Sequence, residues 1–193
     1  GEKRGLVPGR SYMNRKYGKW GWATGNLLTF VIGQGDILVT PVQVAQMMNI
    51  IATRGNTKTP HLLLDSPTEK ISVSLKPLTW DFLQQSTWDV VNHKEGTGKA
   101  AKVIGSEVHG KTGTAQKAIR GRYVPGKYYS AFVGFFPADR PALCIYVALD
   151  EPTGDYYGGL TAAPVFKAIG ERAASYLGIK PDLASIASRS GGR

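Results

Sequence analysis

The residues with the most chemistry in them lie in one short run. Gly105-Ser106-Glu107-Val108-His109-Gly110-Lys111-Thr112 fits the pattern G-x-x-x-x-G-K-[ST]. In that pattern backbone N–H groups and a lysine cradle nucleotide phosphates. Leu143 to Glu151 adds an apolar strand that ends in Asp150, where a carboxylate could hold Mg²⁺. The pair suggests a nucleotide hydrolase. The residues after Thr112 argue against it. A phosphate loop must open a helix, because the first N–H groups of that helix carry the anion. Here Gly113-Thr114-Ala115-Gln116-Lys117 comes next, then Gly121 and Pro125. Glycine and β-branched residues in a first turn weaken a helix. Placed on a strand, Lys111, Thr112 and Thr114 would instead present a cation and two hydroxyls. Other reactive side chains are sparse. His109 reads as a solvated strand-edge residue, and His61 and His93 stand alone, so no metal site is expected. Cys144 is the only cysteine, which excludes an internal disulfide and a cysteine-based zinc site. Its setting, Leu-Cys-Ile-Tyr-Val, reads as a buried strand.

The elements around this run come from hydrophobic spacing and punctuation. Residues 1–29 show no clear period and read as an irregular, exposed arm, with Trp20 and Trp22 as its anchors. Gly33-Gln34-Gly35 reads as a tight turn. Thr40 begins a helix as its N-cap, with Pro41 at the first helical position and Gln43 completing a capping box. Val44, Met47, Met48 and Ile51 give that helix its apolar spacing, and Gly55 ends it. A second helix is expected over Leu78 to Asn92, on Leu78, Phe82, Leu83 and Val90, before the break at Gly96-Thr97-Gly98. Strands are expected over 108–117, 128–136 and 142–149, with 118–127 as a loop and 137–141 as a tight turn. A closing helix comes after Gly158-Gly159. Thr161 is its cap, and Val165, Phe166, Ile169, Ala173 and Leu177 form its stripe. Residues 185–193 read as a disordered tail. Helices segregated from neighbouring strands argue an α+β architecture, with helices packed on an antiparallel sheet.

Composition narrows the classes further. The 193 residues are 42% hydrophobic and 20% charged, which fits a packed domain and not a disordered spacer. No apolar run approaches the roughly 20 residues of a membrane-spanning helix. The opening Gly-Glu-Lys-Arg is neither an initiator Met nor a secretory signal, so the chain reads as an excised piece. The net charge is +10, from 24 Lys and Arg against 14 Asp and Glu. These bases are scattered, clustering only at Arg15-Lys16, at Lys117 to Lys127 and at the C-terminus. No element interleaves them with stacking aromatics, so no nucleic-acid partner is expected.

Lys111-Thr112-Gly113-Thr114 also matches the Lys-Thr-Gly box of the serine penicillin-recognising enzymes. Further segments carry the likeness along the chain: Ile32-Gly33-Gln34-Gly35, Thr40-Pro41-Val42-Gln43-Val44-Ala45, Val108 to Gln116, Ser130 to Pro137, Asp150-Glu151-Pro152, Gly158-Gly159 and Ala162 to Phe166. Residues 1 to about 178 resemble the C-terminal half of the transpeptidase domain of class B penicillin-binding proteins. The opening Gly-Glu-x-x-Gly-Leu-x-Pro is most similar to the elongation type, penicillin-binding protein 2, and the strands after the box are nearer the division type.

The resemblance implies a penicillin-binding/β-lactamase-like transpeptidase fold, of which 1–184 is the C-terminal portion only. It implies a D,D-transpeptidase acting on D-Ala-D-Ala stem peptides of peptidoglycan and trapped by β-lactams, with no cofactor. Lys111 and Thr114 would be catalytic. Thr112, Gly113, Thr114 and Gln116 would bind substrate: the lysine as fixed charge, the hydroxyls on the terminal carboxylate, and the Thr114 N–H toward the oxyanion. It also implies a membrane anchor upstream, an extracytoplasmic location at the bacterial inner membrane, and other cell-wall synthesis proteins as partners. The family's Ser-x-x-Lys and Ser-x-Asn motifs do not occur in this chain. The nucleophile is therefore expected in an N-terminal half of the same domain, and this chain alone is expected to be inactive. A non-catalytic scaffold of the same fold, or a serine β-lactamase or sensor, are the alternatives.

Overall fold

The computed structural model describes residues 3–119 and 122–180. It divides into two compact units, one ending at Gln43 and the other beginning at Val44.

The first unit contains two helices where the sequence suggests an irregular arm. They are α1 (Arg10–Tyr17) and α2 (Thr24–Val31). Each is eight residues long, too short for an apolar stripe to declare a period. Side-chain bonds hold them instead. Trp22 donates from Nε1 to Asn14 Oδ1 at 2.8 Å. The Asn26 carboxamide accepts the Ala23 N–H at 2.9 Å. Asp36 accepts from Lys16 and from the Tyr17 hydroxyl. Partial burial pushes the Asp36 carboxyl up, but those two bonds outweigh it and hold the group below the usual carboxylate range. Trp22 thus anchors the segment, but Trp20 does not, being 87% exposed. Gly33 and Gly35 take φ of 75° and 76°, as the turn requires.

The helix α3 (Pro41–Ala52) starts as its sequence dictates. Gln43 N–H donates to Thr40 Oγ1 at 3.2 Å, and Gln43 Oε1 accepts the Thr40 N–H at 3.0 Å. Thr40→Ala removes one half of this reciprocal cap, a loss of about 1 kcal/mol. Roughly fivefold faster amide exchange in the first turn of α3 is the expected readout.

The second unit is built on a three-stranded antiparallel sheet whose strands neighbour one another in chain order. A short hairpin of β1 (Asn56–Lys58) and β2 (Lys70–Ser72) stands apart from it. Then come α4 (Pro77–Asn92), a 3₁₀ turn at Lys99–Ala101, β3 (His109–Ile119), β4 (Arg122–Phe136), β5 (Leu143–Asp150) and α5 (Ala162–Leu177). Residues 118–127 are largely strand and not loop. The arms of β3 and β4 run on past Gln116, with a register shift between Gln116 and Ala118. Gly126 sits at φ 78° within β4, so its glycine marks an irregular strand and does not end one.

Helices cover both faces of the sheet. On one face Phe132 and Phe136 meet Phe166 of α5 edge-on, at 4.8 and 6.0 Å between ring centroids, among Val91, Val103, Val108 and Val147. On the other, Val133 and Phe135 meet Met48 and Ala52 of α3. Strand alternation separates the two sets.

Two helix faces differ from the sequence reading. In α4 the buried residues are Trp80, Thr87 and Val91, while Phe82 is 69% exposed and Leu78 is exposed. In α5 they are Ala162, Ala163, Phe166 and Gly170, while Val165, Ile169 and Leu177 face out. Small residues let α5 lie close to the sheet: a Cβ on Gly170 would come within 3.1 Å of Phe136 and Val103. Counting only large apolar residues selects the wrong stripe. Thr161 holds the N-cap position, but its hydroxyl donates to Tyr157 O at 3.0 Å and does not cap. The tail 185–193 lies outside the described residues.

Candidate functional site

Among the described residues β3 is an edge strand, paired only with β4. Its N-terminal end is held from two sides. Asn92 of α4 donates to Val108 O at 2.9 Å. His109 is buried, 6% exposed, stacked on Phe135 at 4.8 Å, with Nδ1 3.1 Å from Thr87 Oγ1. The solvated-edge reading of His109 is therefore overturned. An imidazole with an aromatic neighbour on its own face and a hydroxyl from α4 is a packing residue of the strand. A strand also removes the phosphate-loop reading, because no helix opens at Lys111.

Pairing fixes which side each candidate residue faces, since directly opposed residues share a face. Lys111 pairs with Val133 and so lies on the α3 face. Thr112 pairs with Phe132 and Thr114 with Ser130, which places both on the α5 face. Lys111 is exposed, and its Nζ donates to Thr112 O at 2.7 Å. Thr112 Oγ1 is 3.0 Å from Thr97 Oγ1. Thr114 Oγ1 accepts the Gly158 N–H at 3.2 Å. Gln116 donates to Val124 O at 3.4 Å, so its carboxamide is engaged with the opposing arm. Gly113 is partly exposed, with only Ala131 within 4 Å of an added Cβ. The edge thus presents a cation from one face, two hydroxyls from the other, and bare backbone between them.

Two contributors escape a reading of the sequence. Thr97 stands out there only as part of a break. The segment Tyr156-Tyr157-Gly158-Gly159 stands out as a lead-in to α5 and, at its two glycines, as part of the family likeness, with no place in the site, yet it lies against β3. A Cβ on Gly158 would stand 2.2 Å from Ala131 O and 2.5 Å from Gly113 O. A Cβ on Gly159 would stand 2.0 Å from Thr97 O and 3.5 Å from Thr112 Cγ2. Adjacent glycines are the available signal for such close approach. Tyr156 stacks on Tyr128 at 4.2 Å, and its carbonyl accepts from Ser130 Oγ. Ser130, the serine directly opposite Thr114, is thereby buried and occupied.

Cys144 lies in β5 as expected, its thiol against Ala45 O at 3.3 Å and pushed up to about 11 by burial. Among the described residues no three His, Cys, Asp or Glu side chains gather as a metal site would need. No helix among them is long and apolar enough to cross a membrane.

The chain matches the family described as "Penicillin binding protein transpeptidase domain" over residues 9–171. It is 35% identical over 164 residues to Stage V sporulation protein D of Bacillus subtilis, covering 79% of this chain and 25% of that protein. To Peptidoglycan D,D-transpeptidase FtsI of Buchnera aphidicola (subsp. Baizongia pistaciae) it is 31% identical over 191 residues, covering 94% of this chain and 31% of that protein. The chain therefore spans a quarter to a third of the length of these relatives. Penicillin binding protein 3 from Mycobacterium tuberculosis, solved in complex with ampicillin, superposes with a TM-score of 0.74 at 28% identity, covering 95% of this chain and 42% of that one. The α+β transpeptidase fold expected from the sequence is the fold of this chain. A match spanning both units, with the antiparallel sheet and its Lys-Thr-Gly edge strand in place, establishes that the chain belongs to the penicillin binding protein transpeptidase domain family.

Proposed function

We propose that residues 1–184 form the C-terminal half of a peptidoglycan D,D-transpeptidase domain whose nucleophilic half lies upstream in the full-length protein. The carrying observation is the edge strand that bears Lys111, Thr112, Gly113 and Thr114 in the order of the Lys-Thr-Gly box. In this reading a serine of the upstream Ser-x-x-Lys attacks the penultimate D-Ala carbonyl of a stem peptide. Terminal D-Ala leaves, and an amine of a neighbouring stem takes the acyl group.

The strand supplies the electrostatics. A substrate backbone lies along the open edge of β3, as an added strand would. Gly113 leaves that approach clear. Lys111 supplies fixed positive charge from the α3 face, and Thr112 and Thr114 offer hydroxyls to the terminal carboxylate. The Thr114 N–H faces the developing oxyanion. Gln116 stands toward the far end of the same strand as a further substrate contact, its amide drawn from Val124 O when substrate binds. A β-lactam enters by the same route and stays as the acyl-enzyme. No cofactor takes part in this chemistry.

The remaining partners belong to the same reading. An upstream anchor would hold the protein in the bacterial inner membrane, with the catalytic domain on the extracytoplasmic side. There the +10 charge faces anionic wall and lipid. Other cell-wall synthesis proteins would dock on the full-length molecule.

The test is covalent labelling of the full-length protein by a fluorescent penicillin, expected to be stoichiometric and blocked by excess unlabelled β-lactam. Absence of label on a folded full-length protein overturns the assignment. The chain has no Ser-x-x-Lys of its own, which favours one second reading, a non-catalytic scaffold of the same fold. A reading frame with Ser-x-x-Lys and Ser-x-Asn upstream of Gly1 removes it.

A further inference from the structure

Beyond the Lys-Thr-Gly box, the densest group of charged contacts among the described residues lies at the far end of the same sheet. Lys117 Nζ donates to Asp150 Oδ1 at 2.8 Å and to Glu151 Oε1 at 2.7 Å. Lys127 Nζ donates to the other Glu151 oxygen at 3.0 Å. To reach them, Lys117 crosses from β3 over β4, its Nζ lying 4.8 Å from the Tyr129 ring centroid. The register shift between Gln116 and Ala118 falls at Lys117. At this irregularity the lysine reaches across the sheet, along the row in which Tyr129 pairs with Asp150. The side chain keeps only 16% exposure.

What Lys117 grips is the root of a loop. Glu151 comes directly after the last residue of β5, with φ of 51°, a left-handed backbone that a glutamate adopts at a cost. Its N–H donates to Tyr128 O at 2.9 Å. From there the chain runs to Tyr156 and Gly158, which lie against Ser130, Ala131, Gly113 and Thr114. One end of this loop is tied to β3 through Lys117. The other donates the Gly158 N–H to the Thr114 hydroxyl.

We propose that Lys117 is a positioning residue of the acyl-transfer site. It fixes the exit of β5 at Asp150-Glu151 and so holds Gly158 at the distance that orients the Thr114 hydroxyl toward a substrate carboxylate. This role rests on the transpeptidase reading, and it gives part of the basic run 117–127 a structural task. Lys117 touches no substrate. Its effect is carried by Glu151, the loop and Gly158.

The expected consequence is on binding. In the full-length protein, acylation by a fluorescent penicillin is measured as a function of concentration. Lys117→Met raises the half-saturating concentration about tenfold, the size of one misaligned hydrogen bond to substrate, and leaves the limiting rate nearly unchanged. Lys117→Arg, which can still bridge both carboxylates, restores most of the affinity. Glu151→Gln, which keeps size and removes charge, reproduces the Lys117→Met shift.

A purely structural role gives a different pattern. It lowers the amount of protein that can be labelled and leaves the half-saturating concentration of the remainder at the wild-type value. That pattern, or an unchanged half-saturating concentration in both Lys117→Met and Glu151→Gln, overturns the proposal. Lys111→Ala serves as the parallel control. Absence of label on the folded wild-type protein removes the transpeptidase reading itself, normal labelling of Lys111→Ala removes the role assigned to the Lys-Thr-Gly strand, and a defective Lys111→Ala beside a wild-type Lys117→Met removes only the positioning role.

Discussion

Lys111→Ala in the full-length protein is expected to lower the rate of β-lactam acylation at least about a hundredfold, the scale of removing one preorganised charge or donor from an acyl-transfer site. Lys111 has no structural duty that would confuse the result. It is exposed, and its ammonium donates to the next residue's carbonyl. Stability should change by less than about 0.5 kcal/mol, as for other surface substitutions. Thermal unfolding of the variant should therefore overlay the wild type while labelling nearly vanishes. Lys111→Arg should recover only part of the rate, because a planar guanidinium does not replace a compact ammonium. Undiminished labelling of Lys111→Ala would sink the assignment of this strand.

Gly158→Ala is expected to have the largest effect outside Lys111, and by a different route. The added Cβ would stand 2.2 Å from Ala131 O and 2.5 Å from Gly113 O, and both are backbone atoms of paired strands. Neither can turn away as a flexible side chain would. The loop must move out, which breaks the Gly158 N–H bond to Thr114. Overpacking of this kind costs about 1–3 kcal/mol and the lost hydrogen bond about 1 kcal/mol more. Urea unfolding should show a lower midpoint, and the folded fraction should bind penicillin more weakly. Gly154→Ala, in the same loop with nothing within 4 Å of an added Cβ, is the comparison for the backbone effect alone, although its φ of 86° adds strain of its own. A Gly158→Ala protein with wild-type midpoint and wild-type labelling would show that the loop does not lie against β3.

Legibility in the sequence depends on whether a signal is local. The start of α3 is legible, because Thr40, Pro41 and Gln43 meet within one turn and need nothing from the rest of the molecule. The three sheet strands are legible too, since β-branched and aromatic runs bounded by turns describe them. The short helices α1 and α2 are not. Their partners, such as Trp22 for Asn14, lie outside one helical period. The faces of α4 and α5 are misread from spacing because burial there is set by the sheet opposite, where Gly170 and Ala163 fit and Val165 does not.

The helices α3, α4 and α5, the three sheet strands with their Lys-Thr-Gly run, and the family are written in the linear chain, because motif spacing and binary pattern need no third dimension. That Lys111 and the two threonines stand on opposite faces of β3 emerges only from the fold, through the pairing with β4. So do the burial of His109, the approach of the segment 156–159 to β3, and the reach of Lys117 from β3 to Asp150. Those contacts join residues tens of positions apart. No local preference encodes them: they exist only once the sheet has closed and the loop from β5 has been laid across it.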